Sequence, residues 1–233
     1  MPIFSMAGEP VQTQEDWRAL IGERNWQPGR SAERLANAWL AADGFPPAVS
    51  NALQRTEEFR DVRFDQGVVE HQCDLPGRGP ASSTDLMVHA MCPDSRKVSI
   101  AVEGKVDEPF GELTAEWLQR GRDENAAANR VARLTGLRER FGLTQEAVEP
   151  LRYQLLHRTY AAVADAKQHG HPLAMLLIHS FHDSDPRPGW DDFARWAASL
   201  NPEGDPIEPG VPWRATDLDG IQLWLVWVSD KRV

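Results

Sequence analysis

Three residues in the middle of the chain have types and spacing that could do chemistry together: Asp85, Glu103 and Lys105. Asp85 lies near the start of an apolar, β-branched run, STDLMVHAMC. Glu103 and Lys105 lie near the end of a second run, VSIAVEGKV, and the polar turn Pro93-Asp94-Ser95 falls between the two. This is a β-hairpin pattern with a loop longer than the tightest type. Antiparallel pairing sets the start of one strand beside the end of the next. Asp85 is therefore expected close to Glu103 and Lys105, which are two apart and point to one face. Carboxylates held together repel, and a shared hard cation relieves the repulsion. Asp85 and Glu103, with the carbonyl of Gly104, are candidate ligands for Mg²⁺ or Mn²⁺. Lys105 is placed to orient an attacking water or to offset charge on a phosphate. The ordinary alternative is a surface ion pair at a strand end, since E-x-K is a common triplet.

The surrounding pattern supplies elements to hold these residues. A polar arm covers residues 1–14. Short helices are expected over 16–23, over 32–42 with Ser31 as cap, and from Pro46-Pro47 to about Glu57. A strand follows over 59–74, with Gly67 marking a turn or bulge, then the turn GRGPASS and the hairpin. From Leu113 the period becomes helical. The clearest helix is LRYQLLHRTYAAVADAKQ, 151–168, followed by the continuous apolar strand AMLLIHSF, 174–181. A helix over 190–200, a Pro- and Gly-rich loop over 201–212 and a strand over 221–228 complete the order. Helices, three strands, helices and then β-α-β give an α/β fold, bordering on α+β, with a mixed sheet.

Composition narrows the function. The 233 residues are 41% hydrophobic, enough for one good core. No run of about 18 apolar residues predicts a membrane span, and the N-terminus has no secretory pattern. Cys73 and Cys92 are expected as reduced core thiols of a cytoplasmic protein and match no zinc spacing. The net charge of −10 argues against indiscriminate nucleic-acid binding but leaves room for a local basic patch. Five of the nine tryptophans, Trp190, Trp196, Trp213, Trp224 and Trp227, predict an aromatic core in the C-terminal third.

The element order and the residues Asp85, Glu103-Gly104-Lys105 and Gln154-Leu155-Leu156-His157-Arg158 together resemble the PD-(D/E)XK nuclease superfamily. They resemble in particular an uncharacterised bacterial family within it. The resemblance spans roughly 45–182. It implies a restriction-endonuclease-like αβββαβ core, with N-terminal helices over 1–44. The remainder, 45–233, would be the nuclease-like domain with a helical insertion, 111–149, and a C-terminal helix-strand extension. It further implies a metal-dependent phosphodiesterase acting on DNA or RNA. Asp85 and Glu103 would be metal ligands, Lys105 and Gln154 catalytic, and Arg158 substrate-binding. The alternative is a non-catalytic interaction or regulatory subunit with the same fold. Thr84 stands where the motif has proline. A further acidic residue is expected, and Glu33, Glu57, Glu58 and Glu70 all compete for the role.

Gln154 and Arg158 share one helix face and could reach the hairpin end, or could form an exposed polar face. Four histidines, His169, His171, His179 and His182, invite a zinc hypothesis. The intervening strand spans roughly 25 Å, so a single site is not expected, and the histidines read as solvated loop residues. Asp183, Asp185, Asp191 and Asp192 read as loop and cap chemistry. Arg120, Arg122, Arg130, Arg133, Arg138 and Arg140 give the insertion a basic surface that could meet phosphate, although an exposed charge-laced helix is the commoner origin of such a pattern.

Overall fold

The computed structural model describes residues 2–121, 123–182 and 187–231. It is a mixed α/β structure around a seven-stranded mixed sheet, ordered β1-β2-β3-β4-β5-β7-β6. The strands are β1 (Ile3–Phe4), β2 (Arg63–Cys73), β3 (Ser82–Met91), β4 (Lys97–Lys105), β5 (Leu173–Phe181), β6 (Trp213–Leu218) and β7 (Ile221–Asp230). β2, β3 and β4 form an antiparallel meander, whereas β4, β5 and β7 run parallel.

Helices α1 (Gln14–Ile21), α2 (Ser31–Ala41) and α3 (Pro47–Leu53) cover one face. Helices α4 (Thr114–Leu118), α5 (Glu124–Arg140), α6 (Gln145–Val148), α7 (Tyr153–His169) and α8 (Trp190–Leu200) complete the described set. α7 lies across the other face, against β4, β5 and β3. The sheet thus separates two cores. β5 feeds both, sending Leu173, Met175 and Leu177 to one side and Ala174, Leu176 and Ile178 to the other. That two-sided burial is why its sequence is unbroken in apolar residues.

Several details depart from the sequence expectations. The first residues are not a loose arm: Ile3 and Val11 are buried, and β1 pairs in parallel with β2. α2 begins at Ser31, with Arg30 before it making no side-chain cap. α3 stops at Leu53, and a separate 3₁₀ turn holds Glu57–Phe59. α8 follows Gly189, in a left-handed conformation, rather than an aspartate cap. Asp183 and Asp185 lie outside the described residues. Trp196 and Trp227 are fully buried in the α7-side core, whereas Trp224 faces the other core and Trp190 and Trp213 are half-buried.

β2 contains an unusual backbone feature at Glu70. Glu70 has φ 50, the left-handed region that non-glycine residues seldom adopt. Val69 before it belongs to the core under α1–α3, while Cys73 beyond it packs in the core under α7. His71 likewise reaches α7, its Nε2 lying 3.4 Å from Asp165. The twist at Glu70 therefore changes which face of β2 is buried against α7.

Candidate active site

The hairpin register carries Leu86 opposite Val102, so the next pair outward is Asp85 with Glu103. The Gly104 N–H donates to Asp85 Oδ2 at 2.9 Å, tying the two strand ends together. Gly104 is glycine for a packing reason. A Cβ there would lie 3.3 Å from the Ser31 carbonyl and 3.4 Å from Leu35 Cβ, both on α2. The first turns of α7 bring Gln154 and Arg158 down from above. Asp85, Glu103 and Lys105 lie together at the strand ends, as the hairpin pattern predicts, and of the two placements open for Gln154 and Arg158 the structure has the one that reaches the hairpin end. The surface ion-pair reading does not fit, because Glu103 and Lys105 are 3% and 5% exposed.

Glu103 is the hub. Its Oε1 accepts from Lys105 Nζ at 3.0 Å and Gln154 Nε2 at 2.7 Å, and its Oε2 accepts from Arg158 Nε at 2.5 Å. Lys105 also donates to Gln154 Oε1 at 3.0 Å and sits 5.0 Å over the Phe110 ring. Burial alone would raise the Glu103 carboxyl. The charges of Arg158 and Lys105 outweigh it and hold the group near 2. Asp85 receives less help. Arg158 Nη2 stands 3.9 Å away, and the Asp85 side chain is 26% exposed. Burial, then the Glu103 charge, push Asp85 up to about 7. One carboxylate is fully compensated, and its neighbour is short of positive charge.

Of the four acids left open by the sequence, Glu70 stands nearest in electrostatic terms. It accepts a 2.5 Å bond from Ser83, burial raises its carboxyl, and the charges of Arg158 and Glu103 both act on it. Glu58 instead pairs with Arg96 at the opposite end of the hairpin, with Glu57 beside it. Glu33 accepts from the Gly29 N–H ahead of α2.

Ser82 and His157 were not singled out by sequence. Arg158 Nη1 donates to Ser82 Oγ at 3.0 Å, and Ser82 Oγ stands 2.8 Å from His157 Nδ1. Burial, followed by the Arg158 charge, lowers His157 to about 3, so the ring is neutral, and its tautomer sets which partner donates in the bond to Ser82.

Two adjoining hollows, of about 430 and 460 Å³, open beside this cluster and share Trp117, Arg120, Tyr153, His157 and Arg158. Arg78, Arg130, Arg133 and Lys105 add further cations, against one lining carboxylate, Glu112. Trp117 and Tyr153 stack on the shared wall, centroids 3.7 Å apart. Arg130 keeps Nε and Nη2 without hydrogen-bond partners. The expected exposed arginine helix is thus only part of the picture. Arg133 is buried and donates to the Pro80 carbonyl beneath the GRGPASS turn, while Arg138 and Arg140 lie in the last turn of α5 and Arg140 pairs with Asp219. Arg122 lies outside the described residues.

The histidines are not a solvated set. His171 and His179 are buried. His179 accepts from Trp39 Nε1 and faces Asp230, far along β5 from His171, so the four do not form one site. Instead His169 and His171 join His71 and His89 around the buried Asp165. Among the described residues, three metal-type donors within 4.8 Å of one another occur there, as His71-Cys73-Asp165 and His89-Asp165-His169. Both cysteines are free and buried, as expected.

Residues 10–232 match the family model described as "Domain of unknown function (DUF6946)", and the chain belongs to that family. No curated protein and no solved structure was found to match it.

Proposed function

We propose that this DUF6946 member is a metal-dependent phosphodiesterase of the restriction-endonuclease-like type, acting on nucleic acid. The observation that carries the reading is a juxtaposition. Asp85, Glu103, Lys105, Gln154 and Arg158 converge beside a basic, aromatic-walled cleft in a chain whose net charge is −10. Cations and a stacking surface suit a phosphate backbone and its bases.

The donor set fits a hard divalent cation, because Asp85 and Glu103 offer oxygens and Asp85 lacks compensating charge. Mg²⁺ or Mn²⁺ held by these two carboxylates would supply stabilisation of charge developing on phosphate. The protein's own groups do the rest. Lys105, clamped between Glu103 and Gln154, is positioned to hydrogen-bond the attacking water. Arg158, at the cleft wall, is positioned to contact a phosphate oxygen. Attack of water on phosphorus breaks one P–O bond. One product keeps the phosphate and the other leaves as a hydroxyl.

A second reading rests on Glu103 itself. Lys105, Gln154 and Arg158 already engage both of its oxygens, a self-sufficient arrangement that suits a non-catalytic interaction or regulatory subunit. Calorimetry with Mn²⁺, together with cleavage assays on labelled single- and double-stranded DNA and RNA, separates the two. Binding and cleavage by the wild type, both lost in Asp85→Ala/Glu103→Ala, support the phosphodiesterase. A wild type that binds no Mn²⁺ and cleaves nothing supports the non-catalytic reading.

A further inference from the structure

The second polar cluster beneath α7 has no part in the proposed chemistry. Asp165 stands two helical turns beyond Arg158, about 10 Å along the axis. Its side chain has no solvent exposure. Four imidazoles gather round it: His71 from β2, His89 from β3, His169 from the end of α7 and His171 just after it.

Protons alone do not account for the arrangement. Asp165 Oδ2 is well used, accepting from His89 Nε2 at 2.7 Å and Ser99 Oγ at 2.6 Å. Asp165 Oδ1 has no hydrogen-bond partner, although it is buried. His71 Nε2 stands 3.4 Å from it, and His169 Nδ1, also at 3.4 Å, is turned to the Asp165 main-chain carbonyl at 2.9 Å. A carboxylate oxygen bound by N–H donors would draw them to about 2.9 Å. Ligands of a tetrahedral zinc, at 2.0–2.1 Å from the ion, stand about 3.4 Å from one another. Asp165, His89 and His169 each offer one donor atom, all within 4.8 Å of one another, a cluster that a small relaxation closes around an ion.

We infer that Asp165, His89 and His169 are the protein ligands of a zinc-class divalent ion, one carboxylate oxygen and two imidazole nitrogens. Such a donor set suits a borderline metal, unlike the all-oxygen pair Asp85 and Glu103. The surroundings are those of a metal histidine. Gln66 holds His89 Nδ1 at 3.3 Å, and the Asp165 main-chain carbonyl holds His169 Nδ1 at 2.9 Å, which leaves its Nε2 for an ion. His169, 35% exposed, gives an ion a way in. The competing trio His71-Cys73-Asp165 has no comparably exposed member. The ion would pin β3 to the end of α7, a structural role independent of whether the Asp85 site is catalytic.

The test uses the full chain, stripped by chelator and titrated with Zn²⁺ and Co²⁺. About one tight zinc per chain is expected, with a melting temperature raised by about 5 °C or more at 100-fold excess over Kd. His169→Gln, at the half-exposed position, should weaken binding at least about 10-fold, with its circular dichroism unchanged. His89→Gln should do the same. Asp85→Ala/Glu103→Ala should leave zinc affinity untouched, so failure at one site is distinguishable from failure at the other. The Co²⁺ form should show visible d–d bands without a thiolate charge-transfer band. A thiolate band would move the ion to His71-Cys73-Asp165 and overturn the ligand assignment. A wild type with neither binding nor thermal shift, or a His169→Gln protein that binds as well as wild type, would overturn the site.

Discussion

The two ends of α7 solve the same problem in opposite ways. At its N-terminal end the strands supply carboxylates, Asp85 and Glu103, and the helix supplies the cation, Arg158. At its C-terminal end the strands supply imidazoles, His71 and His89, and the helix supplies the carboxylate, Asp165. Apolar residues, Met87, Ala101 and Ala162 among them, line the same side of the sheet beneath the helix. The difference lies in compensation. Glu103 is saturated with donors while Asp85 beside it goes short. At the other end one oxygen of a single carboxylate is used twice and its twin is idle. In each place the unspent atom, rather than the satisfied one, points toward a ligand.

That contrast can be broken by substitution. Glu103→Ala should be the most damaging change, leaving Arg158 and Lys105 buried without their partner and costing about 3–5 kcal/mol in urea denaturation. Asp165→Ala in metal-free protein should cost less, roughly 1–3 kcal/mol, because it strands two hydrogen-bond donors, His89 Nε2 and Ser99 Oγ, instead of two fixed charges. An equal or reversed pair of values would refute the idea that the first end is charge-locked and the second is not.

The pH dependence should also differ in sign between the ends. Asp85, raised from 3.8 to about 7, keeps its proton in the folded state where the unfolded chain has lost it. Its contribution is therefore full below about pH 4 and declines as pH rises to about 7. His171, lowered from 6.5 to about 4 by burial and then by the His89 charge, contributes stability above about pH 6.5 that is lost as pH falls toward 4. Asp85→Asn should make the profile climb more steeply between about pH 4 and 7, and His171→Asn should flatten it. Parallel profiles for both variants, measured by thermal melting across that range, would contradict the assignment. The smallest expected effect is at the cleft. Arg130→Ala should weaken oligonucleotide binding several-fold and lower the log–log salt slope by about 1, with no change in melting temperature.

What could be read from the sequence was what is local or periodic. The hairpin announced itself by two β-branched runs, and the two-residue spacing of Glu103 and Lys105 set them on one face. Helix α7 was legible from its length and apolar stripe, and with it Gln154 and Arg158. β1 has two residues, too few to show alternation, and β6 is an edge strand with only Ala215 buried, so neither stood out. The choice of Glu70 among four acids depends on a left-handed twist that no propensity announces. The histidine cluster stayed hidden because its members meet across 66 to 94 positions of chain. Its local traces, Asp165 four before His169 and His89 on the face shared with Asp85, are individually ordinary.

The strand order bears on how the chain is made. β7 lies between β5 and β6, yet it follows both in the chain. Until residues 221–230 emerge from the ribosome, β5, buried along its whole length in the finished protein, has an open edge. A nascent chain stalled before that point would present an unpaired apolar strand edge, the kind of surface that templates aggregation.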